Sequence, residues 1–398
     1  MRAIYKGFGV AVCLTAISCG GGGGGGNSTA PPPPPAVTNV AAVTVDGGPS
    51  NNSVNTGFTS VTLCVPGSAS CQTIDHIQVD TGSYGLRILA PVLTLALPVQ
   101  TLANGNSLAE CTQFVDGYSW GPIALADITI AGEKAKSVPV QVIGDPKFTT
   151  VPAACSSTGG VQEDTVAKFG ANGILGVGPF ELDCGDCATA MHGLYYSCAG
   201  TACTETTVAV TMQMPNPATR FATDNNGVIL DLPMAPPAGT TTLTGSLIFG
   251  IDTQSNNQSG TQTVLTVDGN AQLPMTYKGT VLPKSFIDSG SNGIYFNDSI
   301  NKCTTAGLTT FYCPPSTLTL AVSIQGQNGV MVNNVSFDIG NTETMLANST
   351  FSVFPELGGS NPDATSFDYG LAFFYGKRVA VAVESKKTSV GTGPYIAF

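Results

Sequence analysis

The sequence predicts an all-β protein built as two similar halves, and three observations carry that reading. Gly and Pro are abundant, at 48 and 26 of 398 residues, while charged residues make up only 10%, a balance that suits many turns rather than long amphipathic helices. Short β-rich runs bounded by Gly, Asn and Pro recur along the chain, as at residues 138–143, 317–324 and 379–383. The third observation is an internal repeat. Asp80-Thr81-Gly82-Ser83-Tyr84-Gly85-Leu86-Arg87-Ile88 returns as Asp288-Ser289-Gly290-Ser291-Asn292-Gly293-Ile294-Tyr295-Phe296, with four of nine positions identical. Asp-[Ser/Thr]-Gly occurs nowhere else, and each copy follows a strand-like run, 74–79 or 285–287. A strand thus delivers each Asp to a tight turn. The length also suits two lobes better than one.

At the start of the chain, Arg2 and Lys6 precede an apolar run, residues 8–17, that is too short to span a bilayer. Residues 1–18 read as an export signal. Ala16-Ile17-Ser18-Cys19 resembles a bacterial lipobox, which implies a lipid on Cys19; a signal cleaved to release a soluble protein is the alternative. Seven glycines and then five prolines follow, a flexible tether with a stiff spacer over residues 19–39. Localisation is therefore expected at the bacterial outer membrane, or at the periplasmic or cell surface, with membrane contact only through that anchor. The net charge of −11, with 26 acidic against 15 basic residues, makes nucleic acid an unfavourable partner. A monomer is expected.

Of twelve cysteines, Cys13 falls in the signal and Cys19 is set aside for lipid, which leaves an even ten in an exported chain. Five disulfides follow by default. Cys64 with Cys71, Cys111 with Cys155, and Cys303 with Cys313 suggest themselves as local pairs. The pairing within Cys184, Cys187, Cys198 and Cys203 stays open, and their spacing also admits a zinc site. In an oxidising compartment disulfides are the better reading, so no metal is expected.

Elimination narrows the chemistry. Only two His exist, His76 and His192, and no His-Glu-x-x-His, which excludes that class of zinc peptidase. Gly117-Tyr118-Ser119-Trp120-Gly121 matches Gly-x-Ser-x-Gly, yet Pro122 and a β-like run follow where a nucleophile elbow needs a helix. His76 precedes Asp80 by four residues, and alternation along one strand places both on one face; a structural role is expected for it. His192 reads as decoration of the Cys-rich loop. The two Asp remain. Two adjacent carboxyls share one proton, so one can take a proton from water while the other gives one to a carbonyl oxygen. Gly82 and Gly290 allow close backbone approach. Thr81 and Ser289 can bond across between the loops, and Ser83 and Ser291 can bond the outer carboxylate oxygens. A single Asp-[Ser/Thr]-Gly would be ordinary turn chemistry; two copies with shared flanks are not.

On these residues the chain resembles the pepsin-like aspartic proteases. Gly173-Ile174-Leu175-Gly176-Val177-Gly178 is similar to the segment that braces the first active-site loop in that family. Residues 245–252 are similar to the strand opening the second lobe, and Gly370-Leu371-Ala372-Phe373-Phe374-Tyr375 to the closing brace. The resemblance covers about residues 40–398. It also extends to an uncharacterised family of exported Gram-negative bacterial lipoproteins. It implies a bilobal fold with pseudo-twofold symmetry and a central cleft, the lobes spanning 40–217 and 218–398. It further implies an endopeptidase with catalytic Asp80 and Asp288, a peptide or protein substrate and no cofactor. The matching flap places Phe114 where the family has Tyr and Arg87 where it has that Tyr's Trp partner, so Gly117, Tyr118 and Trp120 become the candidates for covering the cleft. A catalytically idle member of the fold that binds peptide or glycan, or a structural envelope protein, is the competing expectation.

Overall fold

The computed structural model describes residues 39–115, 117–157 and 160–398. The export signal, Cys19 and all but the last residue of the tether lie outside the described residues. Strand accounts for 41% and helix for 8%, and the longest described helix, Thr342–Leu346, has five residues. The composition reading holds.

The first half opens with β1 (Val40–Val45), β2 (Gly57–Cys64), β3 (Cys71–Asp80) and β4 (Tyr84–Leu89). β5 (Ser107–Gln113) and β6 (Gly117–Ile130) make a long hairpin, followed by β7 (Glu133–Ile143), β8 (Gly173–Val177) and β9 (Tyr195–Ala199). Alternation fixes which side chains turn inward. Ile77 and Val79 of β3, Leu86 and Ile88 of β4, Ile128 and Ile130 of β6, and Val138, Val140 and Val142 of β7 enter one core. The second half contains β10 (Gly227–Leu232) and β11 (Leu243–Phe249), then four two-residue strands: β12 (Phe286–Ile287), β13 (Ile294–Tyr295), β14 (Gly358–Gly359) and β15 (Asp368–Tyr369). Their core is aromatic. Phe296 stacks on Phe367 with ring centroids 5.1 Å apart, and Phe337 meets both edge-on, geometries that add about 0.5–1.5 kcal/mol per pair beyond burial. With β16 (Lys377–Ala382), one sheet ordered β2–β1–β11–β10–β16 runs through both halves, Val40 of β1 lying opposite Ile248 of β11. The two halves therefore share a continuous backbone platform.

Five disulfides form. Cys64–Cys71, Cys111–Cys155 and Cys303–Cys313 pair as the sequence suggests, and the clustered four pair as Cys184–Cys187 and Cys198–Cys203. Every sulfur of that cluster is thus committed, and no thiolate remains there to hold zinc. Intact mass before and after reduction is expected to show five bridges; free thiols with one zinc per chain would overturn the pairing. Cys111–Cys155 spans 44 residues and Cys303–Cys313 spans 10. On loop entropy their loss costs roughly 4 against roughly 3 kcal/mol, which denaturant titration of the two Cys→Ala pairs would separate.

Candidate active site

β3 ends on Asp80. β8 lies between β3 and β4, parallel to the first and antiparallel to the second, so that Val79 faces Leu175 and Leu175 faces Leu86. β7 then runs parallel to β4, with Leu86 opposite Val140. The second half repeats this order. β12 pairs in parallel with β15, β15 antiparallel with β13, and β13 in parallel with β14, which sets Ile287 against Tyr369, Tyr369 against Ile294, and Ile294 against Gly358. Both rows are buried. Each Asp therefore emerges from the same four-strand unit, and the sequence repeat is the visible part of a structural one.

The two turns interlock. Thr81 N donates to Ser289 Oγ at 3.1 Å and Ser289 N donates to Thr81 Oγ1 at 2.9 Å, while Ser289 Oγ donates to Val79 O at 2.9 Å. These reciprocal bonds are buried, so they hold the carboxyls in a fixed relation. Gly82 N donates to Asp80 Oδ1 and Gly290 N to Asp288 Oδ1, each at 2.7 Å. A Cβ on Gly82 would stand 2.6 Å from Asp288 Oδ1, and one on Gly290 2.6 Å from Asp80 Oδ1. Only glycine leaves room for the opposite carboxyl. Ser291 Oγ donates to Asp288 Oδ2 at 3.1 Å, as the sequence suggests. Ser83 departs from that expectation: its hydroxyl is buried and makes no hydrogen bond among the described residues, so the outer oxygens of the two Asp are held unequally.

Burial, then the charges of Asp80 and Asp368, push the Asp288 carboxyl well above the usual carboxylate range. Burial, with Asp80 adding, pushes Asp368 up to about 8. Burial, then the charges of Asp80, Asp288 and Glu384, raise the neighbouring Tyr84 phenol. Three carboxyls this close cannot all ionise, so the cluster retains a proton at neutral pH. Asp368 was not legible as a site residue, because an Asp in a two-residue strand looks like turn chemistry. Counting back two positions from Gly370, as Ile174 stands two before Gly176, is the signal that finds it.

The β5–β6 hairpin is the segment that the sequence offers as a flap, and Phe114 N donates to Gly117 O at 2.8 Å across its end. Val115 at the tip is 89% exposed. Phe114 meets Phe169 edge-on at 6.0 Å, and Gly117 packs against Val161 O. Tyr118 and Trp120 require correction as covers for the cleft. Both are buried in the hairpin's own core with Cys111, Cys155 and Tyr196; Trp120 is 1% exposed, and its Nε1 donates to Phe148 O at 2.9 Å. The indole is a packing anchor, satisfied at both its apolar face and its N–H. Trp120→Ala is accordingly expected to destabilise the protein by about 3–5 kcal/mol; turnover per folded molecule, measured beside the melting curve, should not change.

Arg87 also departs from a flap contact with residue 114. Its guanidinium is 1% exposed and reaches the base of the hairpin instead, donating from Nε to Thr112 Oγ1 at 2.8 Å and from Nη2 to Glu110 Oε1 at 2.6 Å, with Nη1 on Tyr84 O. An ion pair thus ties β4, the strand that leaves the first Asp turn, to β5. Asp183 lies 3.5 Å from Nη2 and accepts from the Tyr195 hydroxyl. Burial and the Glu110 charge raise the Asp183 carboxyl. Neither acid was foreseen, since each is distant from Arg87 in sequence.

The other motifs resolve as structure. Ser119 lies mid-strand in β6, near Gln141 Oε1 at 3.2 Å, and forms no elbow. His76 sits where an extra β3 residue bulges against β2, with φ of 49°, so simple alternation fails there. It lies 3.5 Å from Asp46 and 3.2 Å from Asp75, and its ring packs near Phe58. His192 pairs with Asp186 at 3.0 Å on the surface.

An all-β chain thus builds the same four-strand unit twice and sets one Asp from each against the other through reciprocal turn bonds, the arrangement that the resemblance to the pepsin-like fold implies. The chain belongs to the family described as "Protein of unknown function (DUF3443)", whose model matches residues 35–398. No curated protein matches it. Among solved structures it is similar to an aspartic proteinase from Irpex lacteus, with 15% identity, a TM-score of 0.49, and coverage of 90% of this chain and 96% of that one.

Proposed function

We propose that the protein is an aspartic endopeptidase that hydrolyses peptide bonds with water held between Asp80 and Asp288. The supporting observation is the interlocked pair of turns, which brings both carboxyls together with a retained proton and holds each by a glycine N–H. The ionised carboxyl takes a proton from the water as its oxygen adds to the scissile carbonyl carbon. The protonated carboxyl gives its proton to the carbonyl oxygen, forming a neutral gem-diol. In the collapse the ionised carboxyl takes one diol proton while the protonated carboxyl gives its own to the leaving nitrogen, the C–N bond breaks, and an acid, an amine and the pair with its single shared proton remain. Atoms and charge balance with no covalent enzyme intermediate, metal or cofactor. An extended peptide would lie across the site, held by main-chain bonds to the flap hairpin and edge strands.

The same reading takes the lobes as 40–217 and 218–398, and the protein as an exported monomer anchored through Cys19, in keeping with five disulfides. Replacement of the flap Tyr by Phe114 favours a second reading, a peptide-binding member of the fold with an idle dyad. The purified protein, incubated with a diverse peptide mixture from acidic to neutral pH with and without pepstatin, decides between them by mass spectrometry. Pepstatin-sensitive cleavage is expected; capture of peptides without cleavage at any pH would favour the second reading.

A further inference from the structure

The loop between β8 and β9 carries a bridge unlike the other four. Cys184 and Cys187 are three residues apart, against separations of 5, 7, 10 and 44 for the rest. A bridge that closes so short a loop constrains the unfolded chain least, so stability is its weakest explanation. Its two sulfurs also stand in unequal surroundings: Cys187 is 2% exposed, whereas Cys184 is only partly buried. Of the two histidines in the chain, His76 lies against Asp46 and Asp75, and His192 stands here. Cys184 Sγ, a carboxylate oxygen of Asp186 and an imidazole nitrogen of His192 lie within 4.8 Å of one another. Asp186 faces both neighbours, with Oδ1 3.5 Å from Cys184 Sγ and Oδ2 3.0 Å from His192 Nε2. Asp186 and His192 are exposed, so this corner of the bridge is open to a reactant.

We propose that Cys184–Cys187 is a redox-active disulfide that exchanges with a dithiol through Cys184 Sγ, assisted by His192 held on Asp186. This activity is independent of the endopeptidase reading. One thiolate of the dithiol attacks Cys184 Sγ, because burial shields Cys187. The S–S bond breaks, and Cys187 leaves as a thiolate that takes up a proton. The second thiolate of the dithiol then attacks its own sulfur in the mixed disulfide and expels Cys184. Protonated His192 stabilises that departing thiolate and gives it a proton, which solvent restores to the imidazole. The dithiol loses two electrons and two protons to become a disulfide, and the bridge gains them as two thiols. The loop can keep its shape in either state, since its backbone bonds do not use the sulfurs. Cys187 N donates to Cys184 O at 3.1 Å, Asp183 N to Met214 O at 3.1 Å and Val208 N to Cys187 O at 2.9 Å. The reduced pair thus stays placed to close again.

Dithiothreitol added to the native full chain, with alkylation as the quench, reads each bridge separately by peptide mass spectrometry. Cys184–Cys187 is expected to open about tenfold faster than any other pair. Cys64–Cys71 is the control for exposure, since Cys71 is itself exposed. Single thiols test the asymmetry: the Cys184 thiol in Cys187→Ala should react with iodoacetamide about tenfold faster than the Cys187 thiol in Cys184→Ala. His192→Ala leaves the Asp186 charge unpaired beside the sulfur, where it repels both the attacking and the departing thiolate. Opening of this bridge should then slow about tenfold, short of what an enclosed acid–base group contributes because the pair is exposed. The melting curve and the rates at the other four bridges should not move. Faster opening of Cys64–Cys71, or equal rates at all five bridges, would mark Cys184–Cys187 as structural and overturn the proposal. So would a rate at Cys184–Cys187 that His192→Ala leaves unchanged.

Discussion

Asp80→Asn and Asp288→Asn are each expected to abolish the proposed peptide hydrolysis, lowering kcat by about 10⁴-fold, the upper end of what a positioned acid–base group contributes. An amide can neither take a proton from water nor give one to a carbonyl oxygen, so either change removes half of a two-step exchange. The turns should survive, because Gly82 N and Gly290 N can still donate to an amide oxygen and the Thr81–Ser289 bonds do not involve the carboxyls. Stability should hold or rise. The Asp288 carboxyl is pushed above its ordinary range, so at neutral pH the unfolded chain is ionised where the folded one resists ionisation, and folding is penalised. Below the unfolded value of about 3.9 both states are protonated and the penalty disappears. Asp288→Asn should therefore raise the melting temperature near pH 7 and leave it unchanged near pH 3. Near-normal turnover in either variant would remove that Asp from the chemistry.

The parts of this site that were legible in the sequence are those fixed by local chemistry. Asp-[Ser/Thr]-Gly at the end of a strand states a turn, and its recurrence states a pair; Gly173 to Gly178 and Gly370 mark where a bracing strand passes too close for a side chain. Cys64 and Cys71 flank Pro66-Gly67, so a hairpin bridge was visible from spacing. What the sequence could not convey is which partners distant segments bring. Alternation puts Tyr118 and Trp120 on one face of β6, but nothing local shows that Phe148, Cys155 and Tyr196 cover that face. His76 was misplaced for the opposite reason, because one bulged residue breaks the alternation that its strand otherwise keeps. Arg87 looked like a lost aromatic contact. Its meaning depends on Glu110, Thr112 and Asp183, which lie 23, 25 and 96 residues away.

Arg87→Met is expected to destabilise the protein by about 3–5 kcal/mol, the usual result of removing one partner from a buried ion pair. Methionine fills much of the volume of the guanidinium stem, so the loss reads charge and hydrogen bonding more than a cavity. The three shortest donations vanish together, to Tyr84 O, Thr112 Oγ1 and Glu110 Oε1, along with the 3.5 Å contact to Asp183 Oδ2. Glu110 Oε2 already has no partner in the described structure, so its carboxylate would be left in the core without a cation. Asp183 does not replace Arg87, since it adds a second acid, and burial beside Glu110 already raises its carboxyl. Arg87→Lys should recover only part of the loss, because one ammonium cannot reproduce a planar fork that serves three acceptors at once. The double variant Arg87→Met/Glu110→Gln separates pairing from packing: removing the orphaned charge should restore more than 1 kcal/mol relative to Arg87→Met alone, measured by urea denaturation of all four proteins as a double-mutant cycle. Any peptidase activity should fall further than the folded fraction does, since the Tyr84 carbonyl at the start of β4, just after the first Asp turn, and β5 of the hairpin are the groups released. A loss below about 1 kcal/mol in Arg87→Met would show that this ion pair is not what ties the loop to the hairpin.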